Sequence, residues 1–308
     1  MVNSPLISFC ILSYKQEAFI SEAILSAINQ DYSNLEIIVS DDNSPDNTYS
    51  VIEQTIKQTP TSHKVVLNRN KTNLGLIEHL NYVFNNLVHG EYIMLMGGDD
   101  ISTYYRASQT INYFSQYPNV GGLVFSYDII NSSGQFLRKC QIEKDTIYKM
   151  TSYKWLSSSS FVIGGLALAF RKSKYDLFGP LGDCHTEDST IRFRVLLCSD
   201  FLYSSKICLQ YRRHESNITS SENLYSLKTS NISNQYYRDL KIAYERNFIT
   251  RRLYKLADNK IKWYIKERNL LEKSHFSKLI LLKVWYHLFN KIGNGVFFLR
   301  SVFLQLGK

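Results

Sequence analysis

Cysteine is scarce in this chain: five among 308 residues, at positions 10, 140, 184, 198 and 208. The number is odd and the spacing fits no metal-binding pattern, which argues against a disulfide scaffold and a zinc cluster. Five prolines and fourteen glycines exclude collagen-like and proline-rich classes. Long apolar runs are missing too. The most apolar uninterrupted stretch, Phe161–Phe170, is half the length of the roughly 18–20 residues that a spanning helix needs. Met1–Pro5 carries no basic residue, and the apolar run Leu6–Leu12 leads straight into polar residues, so no secretory signal is expected. The chain has neither a Rossmann Gly-x-Gly-x-x-Gly after its first strand candidate nor a Walker phosphate loop. A bound nucleotide diphosphate would need another counter-charge, most simply a divalent cation held by carboxylates.

Apolar residues make up 44% and charged residues 20%, enough for a packed core and against general disorder. Aromatics reach 14%, with 22 tyrosines, as expected of sugar- or membrane-contacting surfaces and of plain cores. The net charge of +9 is unevenly placed: residues 241–308 hold 15 Lys and Arg against 4 Asp and Glu, so the first 240 sum to −2. A basic segment suits nucleic acid or an anionic membrane. The apolar content of the tail favours the membrane and no nucleic acid. In Phe276–Ile292 apolar residues recur at 281, 285, 288, 289 and 292 among Lys278, Lys283 and Lys291, and after Gly293-Asn294-Gly295 the stretch Val296–Leu306 resumes the pattern. Such a helix suits an interface. The alternative is a helix packed on the catalytic domain or on a second copy in a homo-oligomer.

Hydrophobic periodicity predicts strands at Leu6–Ser13, Leu35–Ser40, Val65–Asn68 and Tyr92–Met96, with helices at Glu17–Gln30, Thr48–Lys57 and Leu76–Leu87 between them. This alternation is the mark of an α/β layer with a mostly parallel sheet. Residues 108–117 read as helix, 120–130 as strand, 131–160 as polar and aperiodic, Val162–Phe170 as strand, Glu187–Leu197 as helix and Phe201–Arg212 as strand. Residues 215–235 read as a Ser/Asn-rich loop, and the chain from about 236 as basic helix. Asp41-Asp42 and Asp99-Asp100 both close strands, and ligands of open α/β sheets sit beyond strand carboxyl ends.

Three blocks of residues resemble glycosyltransferase family 2, inverting nucleotide-sugar enzymes of the GT-A fold. The first joins Ile7-Ser8-Phe9-Cys10-Ile11-Leu12-Ser13-Tyr14 to Glu36-Ile37-Ile38-Val39-Ser40-Asp41-Asp42-Asn43-Ser44, with Asp46 and Thr48. The second is Asn73-Leu74-Gly75, Gly90-Glu91-Tyr92-Ile93 and Asp99-Asp100. The third is Gly164-Gly165, Arg171, Gly179 and Glu187-Asp188, then Tyr211-Arg212-Arg213-His214-Glu215-Ser216-Asn217. The resemblance implies a GT-A catalytic domain over 1–220, with a donor half at 1–105 and an acceptor half at 106–220, followed by a basic amphipathic tail over 221–308. It implies transfer of a sugar from a nucleotide-diphosphate donor, a UDP-sugar, to a hydroxyl of a glycan or lipid-linked acceptor in cell-surface polysaccharide synthesis. The place implied is cytoplasmic, peripheral on the inner face of the plasma membrane.

Roles carry over residue by residue. Asp42, or its neighbour Asp41, resembles the carboxylate that contacts the donor's base or ribose. Ser13, Tyr14, Glu17, Asn73 and Gly75 fall among the donor-contacting loops. Asp99 matches the second aspartate of the family's metal-binding Asp-x-Asp, and Asp100 follows it. Asp188 stands where the family places its base, with Glu187 beside it. His214 lies in a segment able to complete the shell of an Mn²⁺ or Mg²⁺ ion held by Asp99. One departure stands out: the first position of Asp-x-Asp is Gly97. The chemistry suits these residue types. A hard cation prefers carboxylate oxygen and stabilises a departing diphosphate. A carboxylate within about 3 Å of a sugar hydroxyl takes its proton as the new bond forms.

Each candidate also has a plain structural reading. Asp41–Ser44 and Asp99-Asp100 make good turns, and Glu187-Asp188 suits the first turn of any helix. Two other functions compete with the leading one: a nucleotidyltransferase on a related fold, which would want a basic, Gly-rich loop that residues 13–17 do not supply, and a non-catalytic membrane-binding protein with a decayed transferase domain.

Overall fold

The computed structural model describes residues 4–140, 146–157, 167–182, 184, 186–215, 217 and 229–273, with the backbone alone for 229, 230 and 267–273. The first hundred residues alternate as β1 (Ile7–Ser13), α1 (Ile20–Ile28), β2 (Leu35–Asp41), α2 (Thr48–Gln58), β3 (Lys64–Arg69), α3 (Leu76–Asn86) and β4 (Tyr92–Gly97). A two-residue strand β5 (Ile101–Ser102), helix α4 (Arg106–Gln116) and the long strand β6 (Val120–Ile130) follow. Then come β7 (Phe136–Cys140), β8 (Ile147–Met150), α5 (Ser152–Leu156), β9 (Ala167–Arg171), α6 (Lys172–Asp176), α7 (Glu187–Cys198) and β10 (Asp200–Arg212). Two helices close the described chain, α8 (Thr229–Glu245) and α9 (Arg251–Lys273).

All ten strands join one sheet, whose main path runs β3-β2-β1-β4-β9-β6-β10-β5. β1 pairs in parallel with both β2 and β4, so the chain order reverses across β1 and opens a crevice at the carboxyl ends of β1 and β4. β9 runs antiparallel to β4 and to β6, and β6 pairs in parallel with β10. By that chain of pairings β6 and β10 point the same way as β1 and β4. Helix α7 precedes β10 and so runs back from the carboxyl edge, which puts its N-terminus, Glu187, on the edge that carries Asp41 and Gly97.

The central strands are buried along their whole length, and alternate side chains feed two cores. Phe9 and Ile11 of β1, Ile37 and Val39 of β2, and Met94 of β4 pack with α1, α2 and α4. Cys10, Ile38, Ile93 and Leu95 pack on the other face with α3, α5, α7, α8 and α9. This two-sided burial explains why the strands read as near-continuous apolar runs. At the opposite, amino edge the buried Glu36 accepts hydrogen bonds from Ser8 Oγ and from the backbone of His89 and Gly90. A Cβ on Gly90 would lie 2.5 Å from the Ser8 nitrogen, so that glycine serves strand packing, far from the crevice.

The later chain departs from its sequence reading in three places. Residues 131–160, expected to be aperiodic, contain β7, β8 and α5. Residues 229–235, expected in a loop, already belong to α8. The strand expected at Val162–Phe170 is described only as Ala167–Arg171; Gly164-Gly165 lies outside the described residues. The boundary drawn at 220 falls in 218–228, also outside them. Helices α8 and α9 share the core of the catalytic body through Ile232, Tyr236, Leu240 and Ile261. The amphipathic stretches 276–292 and 296–306 lie outside the described residues. Among the described residues no helix is long and apolar enough to cross a membrane.

Candidate active site

β1 and β2 end side by side, Ser13 paired with Asp41. Asp41 is wholly buried and spends its carboxylate on the turn that follows. Oδ1 accepts from Ser44 Oγ at 2.5 Å and Ser13 Oγ at 3.4 Å, Oδ2 accepts from the Ser44 nitrogen at 2.9 Å, and Arg69 stands 3.8 Å away. Asn43 takes a left-handed φ of 56° within that turn, a conformation asparagine tolerates. Lys15, with the same φ, donates its backbone N–H to Ser44 Oγ, joining the two loops.

Asp42 turns the other way, toward the loop before α3. Its Oδ1 accepts from Asn70 Nδ2 at 2.7 Å and the Leu74 nitrogen at 2.9 Å, and its Oδ2 from the Gly75 nitrogen at 2.8 Å. A carboxylate has about four acceptor sites, so one stays open, on Oδ2. Gly75 sits at φ +79°, where a side chain would strain the backbone. Asn73 bonds the same Gly75 nitrogen at 2.9 Å. Glu17 accepts from the Asn47 nitrogen at 2.8 Å, while Tyr14 is exposed at the rim. The sequence-predicted donor residues therefore gather in one loop cluster, but Asp41, Glu17 and Asn73 visibly act there as backbone clamps.

The second acidic pair follows β4. Asp99 Oδ2 lies 3.0 Å from His214 Nε2 and 3.2 Å from Asn217 Nδ2, and its carbonyl accepts from Arg212 Nε at 2.9 Å. Phe19 packs against the His214 ring at a centroid distance of 4.7 Å. Asn217 Oδ1 in turn accepts from the His214 nitrogen at 2.6 Å. Two residues 115 positions apart in the chain are thus brought together. Sequence reasoning placed Asn217 in the third block of the resemblance but gave it no role at the site. Among the described residues no group of three or more His, Cys, Asp or Glu stands ready for a metal. Asp99 and His214 do fit one: their 3.0 Å spacing matches adjacent ligands of an octahedral ion at about 2.1 Å. At Gly97 an added Cβ would lie 2.6 Å from Asp99 Oδ1. The missing first aspartate has left room into which Asp99 folds.

Asp100 is buried, with Oδ1 accepting from the Arg212 nitrogen at 3.0 Å. Burial, then the charge of Asp99, pushes its carboxyl well above the usual range. Arg212 is spent inside. It is buried, bonding Ser132 O at 3.0 Å and Glu22 at 2.8 Å besides Asp99. Its neighbour Arg213 is exposed.

Glu187 and Asp188 open α7 on the same sheet edge. Asp188 Oδ2 takes a 2.8 Å bond from the buried Arg192 one turn on, and Oδ1 a 2.6 Å bond from the Ser189 nitrogen. Its carboxylate is therefore held in one orientation, partly exposed. Glu187 is partly buried, and burial followed by the charge of Asp188 raises its carboxyl to about 7. Two carboxylates thus stand side by side at the start of α7, and Glu187 is the one whose carboxyl is raised.

Comparison with known proteins bears on the family and the fold. The family model for glycosyl transferase family 2 matches residues 8–178. An uncharacterised glycosyltransferase of Haemophilus influenzae is 35% identical over 130 residues, 42% of this chain and 39% of that protein. Another, of Nostoc, is 24% identical over 260 residues, 77% of this chain and 76% of that one. The chain spans 39%, 35% and 44% of the length of three of the curated relatives it matches. Among solved structures, Staphylococcus aureus TarS 1–349 in complex with UDP-GlcNAc superposes with a TM-score of 0.59 at 18% identity, covering 78% of this chain and 71% of that one. The mannosyltransferase PcManGT of Pyrobaculum calidifontis, in complex with GDP-Man and Mn²⁺, gives 0.56 at 14% identity, covering 94% and 81%. The fold is that of the GT-A glycosyltransferases, and the chain belongs to glycosyl transferase family 2.

Proposed function

We propose that the protein is an inverting glycosyltransferase that moves a sugar from a nucleotide-diphosphate donor to a hydroxyl of a glycan or lipid-linked acceptor in cell-surface polysaccharide synthesis. The observation that carries this reading is the convergence on one sheet edge of Asp42, the Asp99–His214 pair and Glu187-Asp188. TarS was solved with UDP-GlcNAc and PcManGT with GDP-Man and Mn²⁺, which supports a UDP-sugar or its GDP counterpart as donor.

Each residue then has a task. The open site on Asp42 Oδ2 accepts a hydrogen bond from the base or ribose, while Asn70 and the Leu74 and Gly75 nitrogens hold that carboxylate still. Asp99 Oδ2 and His214 Nε2 would hold the divalent cation, which when bound supplies positive charge to the departing diphosphate. An imidazole ligand favours Mn²⁺ over Mg²⁺ at such a site. Asn217 fixes His214 through its backbone N–H. Exposed Arg213 reaches for diphosphate oxygens. Asp188 removes the proton of the acceptor hydroxyl, oriented for this by Arg192 and Ser189. Glu187, half-protonated near neutral pH, receives or returns a proton beside it. One displacement needs one base, so the anomeric configuration inverts. A lipid-linked acceptor would place this work at the cytoplasmic face of the plasma membrane.

The test is release of nucleoside diphosphate from a panel of UDP- and GDP-sugars in the presence of Mn²⁺. The wild type releases it; Asp188→Asn loses at least about a hundredfold, within the range of general-base catalysis. Equal release by Asp188→Asn would remove the base role, and no release from any sugar by the wild type would favour a non-catalytic binder.

A further inference from the structure

Helix α9 does two opposite things on its two sides. Residues follow one another about 100° apart around a helix axis, so Ala257, Lys260, Ile261 and Tyr264, all buried, share one arc facing the core. On the reverse arc the exposed residues are Arg251, Arg252, Lys255, Asn259, Lys262 and Lys266: five cations, one amide and no acid. The sixth cation of this stretch, Lys260, turns inward and donates to the Trp155 carbonyl at 2.7 Å. The cationic arc is thus a property of the surface and not of the helix as a whole. Asp258, at its border, pairs with Lys262 at 2.7 Å and offsets one charge at most. Trp263 lies half-buried at the other border.

The arc continues onto the catalytic body. Arg252 lies over the exposed Tyr153 ring at 5.4 Å. One residue on, Lys154 stands 4.0 Å from the ring of Tyr148, which is also exposed. Cations interleaved with exposed tyrosines suit a surface that is apolar beneath and anionic above. The chain that continues from α9 keeps the same chemistry: residues 273–308 contain six Lys and Arg and no Asp or Glu, among many Leu, Phe and Val.

We propose that the solvent-facing arc of α9, with Tyr148, Tyr153 and Lys154 beside it, is a docking surface for an anionic lipid bilayer. Charge complementarity selects the headgroups, and the apolar continuation selects a bilayer over nucleic acid. This surface is distinct from the catalytic edge, and the proposal stands whether or not Asp188 is the base.

The experiment is co-sedimentation of the full chain with vesicles of phosphatidylcholine alone or mixed with phosphatidylglycerol, across a salt series. The wild type should bind only the mixed vesicles, and less as salt rises. Each cation near such a surface contributes about fivefold in partitioning. The triple variant Arg251→Gln, Lys255→Gln, Lys266→Gln should therefore bind at least about tenfold more weakly, at an unchanged melting temperature. The charge-preserving triple Arg251→Lys, Lys255→Arg, Lys266→Arg should bind as the wild type does, and so should Asp188→Asn. Absence of wild-type binding, binding indifferent to salt, undiminished binding by the Gln triple, or displacement of the vesicles by double-stranded RNA would each overturn the proposal.

Discussion

At Gly97 the resembled family offers an aspartate, and here an added Cβ would meet Asp99 Oδ1 at 2.6 Å. The clash is with the free end of a side chain, so the fold survives and the carboxylate moves. Gly97→Ala should push Asp99 away from His214 and lower nucleoside-diphosphate release by about tenfold, the worth of one charge-assisted hydrogen bond, with little change in melting temperature. Wild-type activity in that variant would show that the Asp99–His214 contact is dispensable. Glu187 carries a pH signature. Its carboxyl is raised from 4.5 to about 7 by burial, then by Asp188, so the folded protein holds a proton that the unfolded chain has released. Between those two values the folded state binds more protons, and stability falls as pH rises. Glu187→Gln removes that loss. Its melting temperature relative to wild type should rise from about pH 5 to about pH 8, and a constant difference across that span would contradict the assignment.

Helix α7 is the element that carries Asp188, the proposed base, to the sheet edge, and a buried ion pair fixes it. Arg194 of α7 bonds Asp239 of α8 at 2.8 and 3.2 Å and also the Gly179 and Pro180 carbonyls, with both charged side chains fully buried. Asp239→Ala strands the arginine charge and should cost about 3–5 kcal/mol in denaturant unfolding; a loss under about 1 kcal/mol would show that the site relaxes around it. Sequence patterns disclosed some elements and hid others for physical reasons. The strands β1, β2 and β4 were legible because both their faces are buried, and α1 and α3 because each lays one apolar stripe on the sheet. The strands β7 and β8 were not, because Phe136, Leu137, Ile147 and Tyr148 are exposed and no core face imposes alternation. The start of α8 was hidden by serine and asparagine, poor helix formers; there Ile232 and Tyr236, spaced one turn apart and buried, decide the conformation. At the site the acidic pairs could be found in sequence. Partners such as Asn70 and Asn217 could not, because only the fold brings them to Asp42 and Asp99.

For the whole molecule, parallel pairing of β1 with β2 and β4 puts the acids at 42 and 99 on one edge, and the return of α7 from that edge into β10 adds the acid at 188. The account stands or falls on that edge being a single activated-sugar site. The most direct measurement is thermal shift with UDP-GlcNAc and GDP-mannose as probes, with and without Mn²⁺, on wild type, Asp99→Asn and Asp188→Asn. Binding to the folded state alone contributes about 2.7 kcal/mol at a hundredfold excess over Kd, readily seen as a higher melting temperature. The account predicts that one of the probes stabilises the wild type and Asp188→Asn in the presence of Mn²⁺, and stabilises Asp99→Asn far less. Stabilisation of Asp99→Asn equal to that of the wild type, or no stabilisation by either probe in any variant, would contradict it.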